Sequence, residues 1–389
     1  MLRVTLAVLC AAVSLTAMQT SSKQIVNIGP PPVGPYSVAV KAGGLIHVSG
    51  MLSQDDKGDL VGADVAAQTR RILDRMKGVL EAAGSSLPQA VAVTVYLKNA
   101  SDFAAMNDAY RTYWPKDPPT RTTVITDLLL GALVEISMIA VPNGAERVVV
   151  HPKDWMASPN PYSYAIRTGD TLFLSGLVPR NGRDNAVVTG DIAVQTKAVL
   201  DNAGELLRAA GMDHSNIVSG RVYLPSGADF QAMNATYRTY FAQNPPARAT
   251  VIAGLAGKGY AVEMTFIASS ASRQVVGSAT NPNLSPAIRA GNRLYVSGML
   301  GNNADNAGNA AAQTKETLAR IRATLEAGGY TPADVVDSLV YLTDLSMFQE
   351  MNAEYRPFFG KDFPARATVG TGLVSPGGVV EIMVTAVKQ

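Results

Sequence analysis

Apolar positions along this chain follow two periods in a fixed order, and this order predicts strands and helices. Short apolar runs ending in Ser-Gly come first and predict strands closed by glycine turns, at 45–50, 172–176 and 294–298. A longer segment follows, in which apolar residues recur at helical spacing before a glycine stop. In the first copy this apolar face consists of Ile72, Met76, Val79, Leu80 and Ala83.

The same order of elements appears twice more. The corresponding helix faces are Val199, Ala203, Leu206 and Ala210, and then Leu318, Ile321 and Leu325. A buried-looking strand follows each helix, at 91–97, 217–224 and 335–342. Each copy ends with a second helix and two more strands. The resulting β-β-α-β-α-β-β pattern predicts an α+β domain with two helices on one face of a mostly antiparallel sheet.

A Pro-x-Arg motif marks each copy near its end. It occurs as Pro119-Thr120-Arg121, Pro246-Ala247-Arg248 and Pro364-Ala365-Arg366. The period of about 120 residues has the size of a whole domain rather than of a solenoid unit. The chain is therefore predicted to hold a leader at 1–22 and three repeats at 23–145, 150–270 and 274–389. Polar linkers without periodicity are predicted at 143–154 and 269–281.

The composition restricts the possible partners. Only 16% of the 389 residues are charged and the net charge is +2, which argues against nucleic acid or an anionic membrane as partner. The first 13 residues carry one positive charge and a short apolar core, which predicts a cleaved secretory signal and a periplasmic or secreted protein. An uncleaved membrane anchor is the alternative, although the apolar run is short for a span.

Cysteine and histidine usage argues against several chemistries. Cys10 is the single cysteine and lies in the predicted leader, so the mature chain has no disulfide, thiol nucleophile or cysteine metal ligand. The histidines, His47, His151 and His214, fall at non-equivalent places in the repeats and are interpreted as incidental. Neither a metal nor a cofactor is expected.

Three polar residue types recur at equivalent positions in all three copies. An arginine begins a strand that is otherwise apolar, a glutamate lies in the last strand, and an asparagine lies beside the apolar stripe of the second helix. They are Arg121, Arg248 and Arg366; Glu135, Glu263 and Glu381; and Asn107, Asn234 and Asn352.

Two interpretations of these residues are open. The first is a structural ion pair between arginine and glutamate, with asparagine capping a loop. The second is an anion site, in which the guanidinium holds a carboxylate by two hydrogen bonds and the glutamate acts as a general base or orients water.

The predicted sheets need cover on the face that the helices leave free. Strand alternation places Val134 and Ile136 on one face and Glu135 on the other. Three similar sheets can cover one another as a closed pseudo-threefold barrel, like a homotrimer whose subunits became fused. Such a chain is expected to be a monomer with ligand clefts between its repeats.

Several motifs together resemble the Rid family, the reactive intermediate deaminases also called YjgF-like proteins. The resemblance covers almost the whole chain after the leader, three times over. In the first repeat its motifs are Gly34-Pro35-Tyr36-Ser37, Val48-Ser49-Gly50, Ala66-Ala67-Gln68-Thr69, Met106-Asn107-Asp108-Ala109-Tyr110, Pro119-Thr120-Arg121 and Val134-Glu135-Ile136.

The resemblance implies a fold, an assembly and an activity. It implies a chorismate-mutase-like fold for each domain and sites between neighbouring domains. In that family the arginine binds the carboxylate of an imine or enamine derived from an amino acid, and the glutamate positions or activates water. The products are a 2-keto acid and ammonia.

The resemblance also assigns roles to particular residues of this chain. The arginine and glutamate roles fall on the three recurring arginines and glutamates. The asparagines, the tyrosines Tyr36 and Tyr162, and the serines are implied to line the substrate site; the serines are Ser49, Ser175 and Ser297. The third repeat departs from the pattern, since Leu284 stands where the others have tyrosine, and the site that receives Leu284 is expected to be the weakest.

Two functions and one further possibility follow from the sequence. The first is hydrolytic deamination of small imines and enamines, and the alternative is a non-catalytic binding protein for small carboxylates. A ribonuclease is disfavoured because charge is near balance and no histidine recurs. Each cleft is expected to combine the arginine and glutamate of one repeat with the tyrosine of its neighbour. The sequence does not indicate which side chain the substrate carries or which repeats meet.

Overall fold

Three successive domains of one architecture make up the part of the chain that the computed structural model describes, residues 23–278 and 281–388. The predicted leader, residues 1–22, lies outside the described residues. Within those residues, no helix combines the length and the apolar character that a membrane crossing requires.

Each domain has one long and one shorter helix. They are α1 (Val65–Ala82), α2 (Phe103–Arg111), α3 (Ile192–Ala209), α4 (Phe230–Tyr240), α5 (Ala310–Ala327) and α6 (Phe348–Phe359). The long helices begin where an Asp or Asn side chain accepts a hydrogen bond from a backbone N–H of the first turn, at Asp64, Asp191 and Asn309. Their predicted apolar faces are buried, as at Ile72 and Met76 in α1.

The strands follow the predicted order, with short additional pairs at the edges. The first domain has β1 (Gln24–Val26), β2 (Ala39–Ala42), β3 (Leu45–Met51), β4 (Ala90–Leu97), β5 (Thr120–Ile125) and β6 (Val134–Ala140). The second has β7 (Val148–Val150), β8 (Ala165–Thr168), β9 (Thr171–Leu174), β10 (Ile217–Leu224), β11 (Ala247–Ile252), β12 (Gly254–Leu255) and β13 (Glu263–Ser269). The third has β14 (Arg273–Val276), β15 (Ala287–Ala290), β16 (Arg293–Leu300), β17 (Val335–Leu342), β18 (Ala365–Gly370), β19 (Gly372–Leu373) and β20 (Val380–Val387).

The sheet of each domain is mostly antiparallel. In the first domain the order is β1-β2-β3-β6-β4-β5, in which only β4 and β5 run parallel. The other two sheets repeat this order. Val134, Ile136 and Met138 of β6 pack with α1 and α2 in one core, while Glu135 points to the opposite face. The predicted α+β architecture, with two helices on one face of the sheet, is confirmed.

The predicted linkers are more ordered than their composition indicated. Strand β7 lies within 143–154 and pairs antiparallel with β8, and β14 lies within 269–281 and pairs with β15. Both are edge strands and correspond to β1 of the first domain. The sequence did not indicate these two strands, because strands of three or four residues at a sheet edge are too short to show a period.

The faces opposite the helices meet at the centre of the molecule. An apolar cluster there draws residues from all three domains, including the fully buried Tyr96, Tyr223 and Tyr341 from equivalent positions. Three further clusters each join two neighbouring domains, as where Leu45 and Val91 pack against Phe173. The three domains therefore cover one another in the predicted pseudo-trimeric arrangement.

Strand pairing between domains closes this arrangement into a ring. Strand β12 of the second domain extends the first sheet by pairing with β5, and β19 of the third domain pairs with β11. At the third junction Asp127 and Gly370 exchange backbone hydrogen bonds of 3.0 and 2.8 Å. The three junctions are equivalent, so each domain contacts both others.

We expect the protein to be a monomer in solution. Each domain surface that a trimer of single domains would bury is already covered by another domain of the same chain. Light scattering coupled to size exclusion should give the mass of one chain over a wide concentration range. A mass near three chains would contradict this expectation.

Candidate active site

Three clefts lie at the junctions between neighbouring domains, and each combines residues of two domains. Cleft 1–2 contains Arg121 and Asn107 of the first domain with Glu263, Tyr162 and Ser175 of the second. Cleft 2–3 contains Arg248 and Asn234 with Glu381 and Ser297. Cleft 3–1 contains Arg366 and Asn352 of the third domain with Glu135, Tyr36 and Ser49 of the first.

The predicted composition of the clefts was wrong in one respect. Glutamate was expected from the same repeat as arginine, whereas it comes from the neighbour, together with tyrosine. The arginine begins the strand at the edge of its own sheet, and that edge strand pairs with the next domain. The last strand of the neighbour, which carries the glutamate, is consequently the one that faces the arginine.

Each site arginine is almost fully buried, with exposures of 3%, 1% and 3% for Arg121, Arg248 and Arg366. One terminal nitrogen donates to the asparagine side chain of the second helix, at 2.6 Å in cleft 1–2, 2.7 Å in cleft 2–3 and 2.9 Å in cleft 3–1. The recurring asparagine thus orients the guanidinium. Its predicted position beside the apolar stripe of the second helix is compatible with this contact.

An aromatic ring from the same helix lies against each guanidinium. The distances from the arginine Cζ to the ring centroid are 4.9, 4.5 and 4.7 Å, for Tyr110, Tyr237 and Tyr355 respectively. The sequence pattern assigned these tyrosines no role in the site, although their recurrence three residues after the asparagine was a usable signal. Cation–π contact stabilises a guanidinium that is removed from water.

The site arginines form no ion pair with a carboxylate among the described residues. The alternative of a structural arginine–glutamate ion pair is therefore contradicted. In Arg121 and Arg248, Nε and Nη1 are buried and have no hydrogen-bond partner in the described structure, and the same holds for Nη2 of Arg366. A buried cation with free donors is costly unless an anion binds there. The arrangement suits a carboxylate.

The site glutamates face the arginines from the neighbouring domain and are buried as well. Burial raises the pKa of Glu135, Glu263 and Glu381 from the ordinary 4.5 to about 8, and the positive charge of the arginine opposes this only in part. Near neutral pH the glutamates are therefore mainly protonated. A carboxyl group with this pKa can both donate and accept a proton.

A glycine makes room for each glutamate. A Cβ at Gly50, Gly176 or Gly298 would overlap the glutamate Oε1 atom of the same cleft. These glycines belong to the recurring Ser-Gly pair, whose glycine the sequence pattern indicated only as the end of a strand. Any side chain at these positions would displace the carboxyl group, so the glycine is part of the site.

The serine of the same Ser-Gly pair connects the two domains. Ser175 Oγ accepts a hydrogen bond of 2.9 Å from the backbone N–H of Arg121 and donates one of 2.7 Å to the Ser163 carbonyl. Ser49 and Ser297 make the same two contacts in their clefts. Since these contacts already use the hydroxyl proton, the serines hold the arginine backbone in place at the junction.

The clefts differ in their aromatic wall. The rings of Tyr36 and Tyr162 lie 5.3 and 5.8 Å from the arginine Cζ in clefts 3–1 and 1–2. In cleft 2–3 the equivalent residue is Leu284, which precedes Ser285, whose N–H donates to the Pro246 carbonyl. The sequence left open which arginine faces Leu284; the structure identifies Arg248.

Comparison with known proteins gives the same threefold division. A family model described as Endoribonuclease L-PSP matches residues 27–142, 153–270 and 278–388. A RutC family protein of Pyrococcus horikoshii is 44% identical over 113 residues, which make up 28% of this chain and 90% of that protein. The 3-aminoacrylate deaminase RutC of Acinetobacter baylyi is 39% identical over 113 residues, again 28% of this chain and 90% of the relative.

Two further comparisons extend these findings. The human 2-iminobutanoate/2-iminopropanoate deaminase is 36% identical over 108 residues, 28% of this chain and 79% of that protein. Among solved structures, a chorismatase with 16% identity covers 77% of this chain and 93% of its own length, with a TM-score of 0.55. At this identity the similarity concerns the fold alone.

Proposed function

The chain belongs to the Endoribonuclease L-PSP family, the Rid family indicated by its motifs, and on this basis we propose that it deaminates small imines and enamines derived from amino acids. The products are a 2-keto acid and ammonia. The observation that carries this proposal is the pairing, in one cleft, of a buried arginine with free donors and a glutamate whose pKa is about 8.

The site arginine binds the substrate carboxylate. In cleft 1–2, Nε and Nη1 of Arg121 have no hydrogen-bond partner in the described structure, so their N–H groups are available to donate to the oxygens of a carboxylate. Asn107 and Tyr110 hold that guanidinium from its other sides. The substrate is thereby fixed with its imine carbon in the cleft that also contains Glu263.

The glutamate transfers protons in both directions. In its protonated form it donates a proton to the imine nitrogen, and the oxygen of a water molecule then bonds to the imine carbon as the carbon–nitrogen π electrons move to nitrogen. The resulting carboxylate takes a proton from the attacking water. When the carbinolamine collapses, its hydroxyl proton passes through the glutamate to nitrogen, the carbonyl forms, and ammonia leaves.

Enamine substrates require one earlier step. The protonated glutamate donates a proton to the enamine carbon, the nitrogen lone pair forms the carbon–nitrogen double bond, and an iminium ion results. Its N–H then returns a proton to the carboxylate, which gives the imine and restores the protonated glutamate. The names of the relatives cover both types, since 3-aminoacrylate is an enamine and 2-iminopropanoate is an imine. One carboxyl group near neutral pKa serves both reactions.

Ammonia release tests the proposal directly. We expect the protein to accelerate ammonia release from 2-iminopropanoate, generated in place from alanine by an amino-acid oxidase, well above the rate in buffer. Release at the buffer rate combined with tight pyruvate binding would instead support the binding-protein alternative. Absence of both would exclude the proposed use of the clefts.

A further inference from the structure

Cleft 1–2 contains a second arginine, Arg180, that has no counterpart in the lining of cleft 3–1. Arg180 lines the same cavity as Arg121 and Glu263. Arg180 lies five residues after Ser175. The residues at the same distance from Ser49 and Ser297, in the first and third repeats, are the uncharged Gln54 and Asn302. Arg180 and Gln54 also occupy equivalent places in the fold, since each forms an isolated antiparallel bridge, with Val187 and Leu60.

Arg180 is held in a fixed position by two hydrogen bonds and a ring. Its Nε donates to the Tyr260 hydroxyl, and its Nη1 donates to the Asn185 carbonyl at 2.6 Å. The centroid of the Tyr260 ring lies 5.6 Å from the arginine Cζ. These contacts leave Nη2 for a ligand. Arg180 takes part in no ion pair among residues 23–278 and 281–388, so its charge has no counterion there.

The space around Arg180 continues beyond the cleft. A neighbouring cavity shares Tyr162, Gly176, Val178 and Arg180 with cleft 1–2 and reaches toward Asn202. A ligand anchored on Arg121 therefore finds further room and a second cation in the same direction.

Cleft 3–1 offers no equivalent cation in its wall. Its lining near the tyrosine includes Gln54 and Leu129. Arg75 lies close to Tyr36, but its Nη1 donates to the Leu52 carbonyl at 2.9 Å and the side chain is not part of the cleft lining. The second cation inside the cavity is thus a difference between cleft 1–2 and cleft 3–1.

We propose that cleft 1–2 accepts dicarboxylic substrates, the imines of acidic amino acids with four or five carbons. Arg121 binds the carboxylate next to the imine carbon, and Arg180 binds the distal carboxylate. A distal carboxylate in a half-buried site without a cation would be strongly disfavoured, whereas a positioned guanidinium favours it. This inference rests on the proposed deaminase function and assigns a substrate class to one of its three sites.

The variant Arg180→Gln, which copies Gln54, tests the assignment in the full chain. The experiment compares kcat/KM for the imines of aspartate, glutamate and alanine, each generated in the assay by a suitable amino-acid oxidase. Losing a charge-assisted hydrogen bond corresponds to about tenfold to a hundredfold in affinity, so the ratio of dicarboxylic to alanine imine should fall by at least about tenfold. The aspartate and glutamate imines show which chain length the cleft fits.

Two controls separate a binding role from a structural one. Arg75→Gln makes the same chemical change beside cleft 3–1 and should leave the ratio unchanged. If Arg180 only supports the loop around Asn185, Arg180→Gln will lower kcat/KM for all substrates in parallel. The ratio of dicarboxylic to alanine imine will then stay constant, which overturns the inference. Should Arg180→Gln fail to fold in a thermal melt, Gln54→Arg provides the reciprocal test, and a ratio that does not rise overturns the inference.

The alanine imine separates this inference from the proposed function. If it is not hydrolysed and pyruvate does not bind, the proposed function fails for all clefts. If the alanine imine is hydrolysed but kcat/KM for the dicarboxylic imines does not depend on Arg180, only the substrate assignment fails. Titrations with oxaloacetate, 2-oxoglutarate and pyruvate give the same comparison without turnover.

Discussion

Replacing Arg121, Arg248 and Arg366 together by glutamine should reduce binding of pyruvate and turnover of its imine by at least about a hundredfold. Each arginine supplies a buried guanidinium with free N–H groups and no counterion among the described residues. Loss of two hydrogen bonds to a charged ligand costs about 3–6 kcal/mol, which is a factor of about a hundred or more in affinity. Calorimetric titration measures the loss.

The single arginine variants should have unequal effects. Arg121→Gln and Arg366→Gln each abolish ligand binding in a cleft that has a tyrosine in its wall, whereas Arg248→Gln abolishes binding in the cleft that has Leu284. Titration of the unmodified chain should accordingly show two stronger sites and one weaker site, and Leu284→Tyr should strengthen the weak one. Arg183→Gln removes an exposed arginine, which pairs with the partly buried Glu205 and does not line the three sites, and serves as the control. Three equal sites, each lost equally with its arginine, would contradict the importance of position 284.

Replacing Glu135, Glu263 and Glu381 together by glutamine should separate binding from turnover. General acid–base groups contribute about a hundredfold to ten-thousandfold in rate, so kcat should fall by that order. Glutamine keeps the neutral charge of the protonated glutamate, so pyruvate should still bind at neutral pH. Parallel loss of binding and turnover would show that the glutamate acts mainly in holding the ligand.

The pH dependence of binding provides a second measurement on the same variant. A protonated glutamate leaves the cleft with the net positive charge of its arginine, whereas an ionised glutamate cancels it. With a glutamate pKa of about 8, pyruvate affinity should be flat below pH 7 and fall as pH rises through about 8. The triple glutamine variant should lose this dependence. If pyruvate affinity still falls with rising pH in that variant, the pH dependence belongs to another group.

The same raised pKa has a consequence for stability. The folded-state pKa of each glutamate lies above its ordinary value. Its stabilising contribution to the free energy of unfolding is therefore fully present below about pH 4.5 and is lost as pH rises through about 8. The triple glutamine variant should therefore melt a few degrees higher than the unmodified chain at pH about 9. At pH about 5 the difference should be small.

Much of the site could be identified from recurrence within the sequence. A residue that stays polar at an otherwise apolar position in three diverged copies needs a partner or a ligand, and Arg121, Glu135 and Asn107 with their counterparts meet this criterion. Strand alternation predicts the glutamate on the sheet face opposite the helices, as the structure confirms. The roles of Tyr110 and Gly50 could not be recognised in this way, because an aromatic residue on an apolar stripe and a glycine at a strand end both have simpler explanations.

The sequence by itself determined the elements, their order and the three equivalent domains, because helical and strand periods are local properties that the chain repeats three times. Only the tertiary structure decided that Arg121 faces Glu263 instead of Glu135, and that Ser175 tethers two domains. Those relations depend on which edge strand pairs with which neighbour around the ring. The contacts that fix this direction join residues more than a hundred positions apart, as between β5 and β12, and no period along the chain encodes them.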